Sequence, residues 1–439
     1  MQILTSRFWA RIIPLMLLIQ IAGTILISSP AGPQITPGGN SQGGNSRNAS
    51  AATAQILPGE FCAMPEGGTW TVATLTQAAD LPAVRQLSDP FPTFSEVAVD
   101  AENNRVVITD INRKSVLIYD RSSGGASPET TAPVGQVLGP DTMIGFVAGV
   151  DVDPVRREIF AVNNDIEDTM AVFAYGQGGN AKPARVLVVP HQSWGLSLAH
   201  QREEIAISVQ QVNAVFIYRR EASGVEPPVR TIQGPSTGLA DPHGIFVDEQ
   251  HQEILVANHG NWRNEYTEDR PQRVNAVSYR GVPPGGKFLA PSIAVYPLTA
   301  NGDMKPIRVI QGPRAGLNYP MALDVDLEHD EIFLANNGDN SILVFSRTGA
   351  GDQGPVRVIR GDRTGLDMPI GIALDTKNDE LWVTNSNSHA AVVFPRSASG
   401  NVSPKRTVRN APASALPVGF TNPMALGYDS KRNEILVPN

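Results

Sequence analysis

Val356-Arg357-Val358-Ile359-Arg360-Gly361, then Thr364-Gly365-Leu366 and a stop at Pro369, is followed by Gly371-Ile372-Ala373-Leu374-Asp375 and by Glu380. This stretch recurs. Val229-Arg230-Thr231-Ile232-Gln233-Gly234-Pro235 leads through Thr237-Gly238-Leu239 to Pro242, and Ile307-Arg308-Val309-Ile310-Gln311-Gly312-Pro313 leads through Gly316-Leu317 to Pro320. A fixed period decides architecture before any other feature, because each repeat is one unit whose apolar surface is covered only by its neighbours.

After each proline comes an apolar alternation ending in Asp, and five positions later a Glu opens a second one: Asp248 to Glu253, Asp326 to Glu331, Asp375 to Glu380. The spacing returns at Asp153 to Glu158 and Asp429 to Glu434, with Arg105 after Asp100 and with Ala199 ahead of Glu204. Short period-2 alternations are strands. The polar residues between them form a hairpin turn whose backbone N–H groups the Asp accepts, so the repeated Asp is structural. A third strand follows, as in Ser341–Phe345 or Val215–Tyr218, and the Val-Arg-Val-Ile segment is the fourth. Four short strands per unit, without a helical period, make the blade of a β-propeller.

Six units open near Val97, Val150, Leu196, Ile245, Leu323 and Ile372; a seventh opens near Leu426 and stops at Asn439 after two strands. Trp70–Leu75 and Ala83–Leu87 match the missing outer pair. The expectation is an all-β, seven-bladed β-propeller of four-stranded antiparallel blades. N-terminal outer strands complete the C-terminal blade and leave no sheet edge open. Six blades would require the weak third unit not to be a blade.

Pro242-His243-Gly244-Ile245-Phe246-Val247-Asp248 and Glu253-Ile254-Leu255-Val256-Ala257-Asn258 resemble the blade start and second strand of the NHL-repeat propellers, over roughly residues 68–439. That resemblance implies architecture. It implies no single activity, because such propellers include enzymes, sensors and scaffolds. Pro242-His243-Gly244-Ile245 also looks like the histidine-bearing blade start of NHL-type lyases. Those enzymes repeat the histidine, whereas here the equivalent positions hold Ala148, Trp194, Met321 and Ile370.

A net charge of −8 with no basic run excludes nucleic acid as the main partner. The single cysteine, Cys62, forms no internal disulfide and no cysteine-rich metal site. Arg7 and Arg11 precede the apolar run Ile12 to Ile27, so residues 1–30 read as an export signal or an N-terminal membrane anchor. Residues 31–67 are a Gly/Ser/Asn/Pro-rich linker and 68–439 the propeller. Either reading of the N-terminus places the folded part outside the cytoplasm, in the periplasm, at the cell surface or secreted.

Strand one begins with Ser95, Ala148, Trp194, His243, Met321, Ile370 and Met424, and strand two ends in the polar series Asp110, Asn163, Asn258, Asn336, Asn385 and Asn439, broken by Val209. Glu96, Asp151, Asn258 and Asp324 are the candidate metal ligands, an oxygen-rich set suited to calcium or another divalent cation. The competing reading has the Asn side chains bonding backbone at strand ends and the carboxylates solvating the channel. Between Asn258 and Ile293 lies an insertion bearing His259, Trp262, Arg263 and Tyr266. A loop of this length is a binding element or a packed, inert elaboration, and its aromatic and Arg content is that of binding hot spots. With His243, these residues are the candidate ligand-binding set. His191, His200, His251, His329 and His389 read as surface histidines, and no nucleophile elbow, phosphate loop or zinc-protease motif is present. The expected function is a monomeric extracytoplasmic binding or scaffold propeller. Its top face and blade-four insertion would meet a protein, peptide or glycan. The alternative is a divalent-metal-dependent lyase or lactonase with a top-face site.

Overall fold

The computed structural model describes residues 90–125, 130–165, 167–264, 286–412, 415, 427–429 and 434–436. The export or anchor segment, the linker, Trp70–Leu87 and Tyr266 lie outside the described residues.

Blade I consists of β1 (Phe94–Asp100), β2 (Arg105–Asp110), β3 (Ser115–Asp120) and β4 (Gly135–Leu138), and blade II of β5 (Phe146–Asp153), β6 (Glu158–Asp165), β7 (Thr169–Ala174) and β8 (Arg185–Val188). Blade III holds β9 (Ser193–Ala199), β10 (Glu204–Val209), β11 (Ala214–Arg219) and β12 (Arg230–Gln233). Blade IV holds β13 (Pro242–Asp248), β14 (Glu253–Asn258), β17 (Ser292–Pro297) and β18 (Arg308–Ile310), with a separate ribbon of β15 (Asn261–Asn264) and β16 (Gly286–Leu289) between its second and third strands. Blade V is β19 (Pro320–Asp326), β20 (Glu331–Asn336), β21 (Ser341–Ser346) and β22 (Arg357–Arg360); blade VI is β23 (Pro369–Asp375), β24 (Glu380–Asn385), β25 (Ala390–Pro395) and β26 (Arg406–Arg409). Each blade is an antiparallel meander, and the weak third unit is a complete one.

The hairpin between strands one and two forms for the expected reason. Asp153, Asp248, Asp326 and Asp375 each accept a backbone N–H of their own turn through Oδ1, at 2.8–3.1 Å. The residue before each Glu, such as Gln252 (φ 58°) or Asp330 (φ 55°), is left-handed and reverses the chain.

Both faces of the central strands are covered. Leu381 and Val383 of β24 pack on blade V with Phe333 and Val344, while Trp382 between them packs on blade I with Phe94, Val106 and Tyr119. Full burial of such side chains contributes about 1.5–3 kcal/mol each, which makes the faces between blades the core.

A repeated ionic device also joins the blades. The first residue of strand two is a Glu paired with an Arg of strand four: Glu158 with Arg185, Glu204 with Arg230, Glu253 with Arg308, Glu331 with Arg357, Glu380 with Arg406. The residue after strand three of the following blade then reaches back. Arg220 bonds Glu158 and Asp153, Arg347 bonds Glu253, and Arg396 lies 3.1 Å from Asp326 and 3.4 Å from Glu331. Where the pattern changes, both partners change. Blade I has Arg105 at the Glu position, paired with Asp120, and Tyr175 of blade II donates to Asp100. Blade III has Ala199 at the Asp position, and blade IV has Leu298 where the other blades carry Arg or Tyr.

Among the described residues there are six four-stranded blades, which corrects the expected seven. Arg121 of blade I meets Glu380 and Asp375 of blade VI through this same device. The Thr384 hydroxyl donates to the carbonyl of Ser95, and Trp382 packs into blade I. Blades VI and I are thus in direct contact through these residues. His389, read from sequence as a surface histidine, is fully buried at this junction, its Nδ1 2.5 Å from the carbonyl oxygen of Pro92 and its ring edge-on to Phe91. The terminal hairpin β27 (Gly427–Asp429) and β28 (Glu434–Leu436) is a separate two-stranded unit, with Asp429 opposite Glu434 as the five-residue spacing predicts.

Candidate functional site

The top face is the end at which the first strands begin. Adjacent strand starts come very close there because the next position is Gly in several blades. A Cβ on Gly195 would lie 2.5 Å from the carbonyl oxygen of His243, and one on Gly244 2.5 Å from that of Met321. The glycines therefore draw Trp194, His243 and Met321 into one layer.

That layer carries a continuous run of rings. Phe146 lies 6.2 Å from Trp194, Trp194 4.3 Å from His243, His243 3.4 Å from His259, and His259 5.2 Å from Tyr319, centroid to centroid. The run crosses blades II to V. Its two histidines stack at 14°, and its outer end, Tyr319, is 60% exposed. Tyr319 and Met368 occupy equivalent positions directly before a proline, both with φ 50°, and Met368 is 43% exposed. The residue before a proline ordinarily sits in the extended region. Large apolar side chains are thus held outward by a backbone that disfavours them.

Asp241 is the third residue of this pre-proline set, with φ 58°. Its backbone carbonyl accepts from the N–H of His259 at 3.0 Å and lies 3.1 Å from Nδ1 of His243. Its carboxylate faces both imidazoles, Oδ1 3.7 Å from His243 Nδ1 and Oδ2 3.7 Å from His259 Nδ1. Burial holds His243, 2% exposed, at a pKa of about 3. Burial, and then the neighbouring His243, put His259 well below its ordinary value, so both rings are neutral at pH 7. Burial raises Asp241 to about 6, against a hydrogen bond from Gln210.

The expected cation set does not assemble at this layer. Glu96, Asp151 and Asp324 line an axial cavity of about 430 Å³ between the first strands, with Ser197 and Phe246 in the wall. The lining continues to Gln201, Glu249 and Gln250 at the hairpin turns and includes neither His243 nor His259. The innermost edge of each blade has N–H groups with no strand to pair with, and these side chains satisfy them. Asp151 accepts from Val152 of its own strand and Leu198 of blade III. Asp324 accepts from Val325 and Leu374 of blade VI, and Glu96 from Val97 and Ile372 of blade VI. Ser197 repeats the device on Val247. Burial raises Glu96 to about 8 and Asp324 to about 7, and shifts Asp151 upward as well.

Asn258 is likewise committed. Its side-chain oxygen accepts from the N–H of Ala240 and its amide donates to the Ser292 hydroxyl. Asn163, Asn336 and Asn385 hold the loops leading into their blades in the same way. This is the strand-end bonding that competed with the metal reading, and it withdraws Asn258 from the cation set. Trp262 and Arg263 lie in the ribbon of blade IV, opposite Phe288 and Lys287. Of the candidate ligand-binding set, His243 and His259 are brought into contact. Asp241, Tyr319, Met368 and Phe146 were not singled out in the sequence. The shared pre-proline position of Asp241, Tyr319 and Met368 was the signal available.

No protein-family model and no curated protein matches the chain. Among solved structures, the chain is similar to a functionally unknown protein from Desulfotomaculum acetoxidans DSM 771, at 15% identity and TM-score 0.47 over 70% of this chain and 83% of that one. It is also similar to Kuenenia stuttgartiensis hydrazine synthase, at 12% and 0.45 over 72% and 99%, and to the WD40 β-propeller domain of Doa1, at 13% and 0.44 over 79% and 89%.

Proposed function

We propose that this chain is an extracytoplasmic binding propeller of NHL type whose top face takes a protein, peptide or glycan partner. The observation that carries the reading is the run Phe146–Trp194–His243–His259–Tyr319, flanked by the outward Met368. Rigid aromatic groups supply much contact area at small entropic cost and are the residues that dominate binding surfaces. The left-handed backbone at Tyr319 and Met368 costs stability and is accounted for by a partner that touches them. Placement outside the cytoplasm rests on Arg7, Arg11 and the apolar run Ile12 to Ile27.

The test is a screen of peptide and glycan arrays with the purified chain, repeated with Trp194→Ala and Tyr319→Ala. Loss of at least about tenfold in affinity for the captured probe in either variant is expected. Capture equal to wild type in both would remove the top face from the reading. Secretion of a reporter fused after residue 67 tests the compartment, and retention in the cytoplasm would overturn it.

A further inference from the structure

Asp241, His243 and His259 present one ligand atom each within 4.8 Å of one another, and we infer that they form a binding site for a first-row transition dication, Cu²⁺ or Zn²⁺. The inference is independent of which partner docks on the aromatic run, because it concerns the ion alone.

The placement of the three groups leads to it. Nε2 of His259 lies 2.8 Å from the thioether sulfur of Met321, which only accepts, so Nε2 is the donor at that contact. Its Nδ1 is then a bare lone pair, and it points at the Asp241 carboxylate 3.7 Å away. Two electron-rich groups face one another with no proton between them. The second imidazole brings its Nδ1 edge to the same carboxylate, also at 3.7 Å. Asp241 Oδ1 is buried and accepts no hydrogen bond.

The distance decides between a hydrogen-bonded cluster and a ligand set. At 3.7 Å these contacts exceed the hydrogen-bond range of about 2.7–3.2 Å. Two ligands bound at about 2.1 Å to one ion, at tetrahedral angles, stand about 3.4 Å apart. Two imidazoles and one carboxylate are the donor types that Zn²⁺ and Cu²⁺ prefer, whereas calcium takes oxygen alone. Met321 meets the far nitrogen of His259 from behind, as outer-sphere groups do at metal centres, and the Asp241 carbonyl oxygen holds the His259 backbone N–H. An ion at the shared edge moves the His243 proton from Nδ1 to Nε2. Both rings also have to turn well out of their 14° stack for the two Nδ1 lone pairs to converge on one ion.

The full chain, stripped with chelator, is titrated calorimetrically with Cu²⁺ and with Zn²⁺. One equivalent of at least one ion is expected to bind and to raise the melting temperature. Asp241→Asn and His259→Gln should weaken that equivalent by about 100-fold, and Met321→Leu by about tenfold. Failure of both ions to bind stoichiometrically, or binding equal in wild type and the two ligand variants, would overturn the site. Should His259→Gln not fold, Asp241→Asn, which keeps the size and shape of the side chain, decides the matter alone.

Discussion

Arg121, directly after β3 of the first blade, donates to Glu380 at the start of β24 in the sixth, at 3.1 Å. The pair is separated by 259 residues yet repeats the geometry by which Arg220 holds Glu158 and Arg347 holds Glu253 across consecutive blades. Arg406 completes the joint with two bonds to Glu380 and one to the carbonyl oxygen of Arg121.

A double-mutant cycle on Arg121→Ala and Glu380→Ala therefore has a definite expectation. Charge-assisted bonds between half-buried partners couple by about 1–3 kcal/mol. Denaturant unfolding of wild type, both single variants and the double variant measures it. Additive effects would mean that the sixth and first blades are not neighbours in solution.

Blades III and IV lack this link although Glu204 is kept, because Ala199 and Leu298 replace the Asp and the Arg that reaches back. Leu298 is almost fully buried and Glu204 is already bonded by Arg202 and Arg230, so Leu298→Arg alone puts a partly compensated charge in the core and should cost about 1–3 kcal/mol. Adding Ala199→Asp is expected to restore at least about 1 kcal/mol of that loss. Melting curves of the single and double variants check this, and a double variant no more stable than Leu298→Arg would count against the assigned equivalence.

The axial carboxylates give stability a pH dependence of known sign. Folded, Glu96 keeps its proton up to about pH 8, whereas the unfolded chain releases it near 4.5. Its contribution is full below the unfolded value and is lost as pH rises toward 8. Glu96→Gln keeps an acceptor for Val97 and Ile372 without the buried charge. It should raise the melting temperature at pH 8 and leave it nearly unchanged at pH 4. Glu380 has the opposite sign. Burial alone would raise it, but Arg406 and Lys405 hold it down to about 2, so its contribution is present above 4.5 and is lost as pH falls toward 2. Melting temperatures from pH 3 to 9 separate the two limbs; a Glu96→Gln profile parallel to wild type would refute the first.

Met368→Gly tests whether the top face carries backbone cost for the sake of binding. A left-handed residue with a Cβ costs about 1–2 kcal/mol, and glycine removes that cost. The variant is expected to melt at or above the wild-type temperature although it loses an apolar side chain, while capture of the partner weakens. A clear fall in melting temperature would show that Met368 serves the fold.

Much of this was readable beforehand, and for local reasons. The Asp-to-Glu spacing and the period-2 alternation concern residues within one hairpin, and Asp248, Asp326 and Asp375 do bond their own turns. The complete third blade was legible from Glu204 even with Ala199 in the Asp position. The blade count was not, because the sixth-to-first contact joins residues far apart in sequence, and the terminal hairpin at Asp429 and Glu434 obeys the same local rule as a blade. The same distinction applies to the site. His243 and His259 stood out as chemical groups, but Asp241 becomes their partner only through its φ of 58°, and no residue type announces that angle. That Glu96, Asp151 and Asp324 bond unpaired N–H groups of inner strands leaves no mark in a sequence.

The junction of blades III and IV, without its salt link, is also where Trp194 of one blade meets His243 of the other. Heat or mechanical pull should part the molecule there first, and amide hydrogens along β9 and β13 should exchange sooner than those of β1 and β23. A molecule seated across those two rings would then act as a clasp on the weakest seam, so that occupancy and resilience rise together.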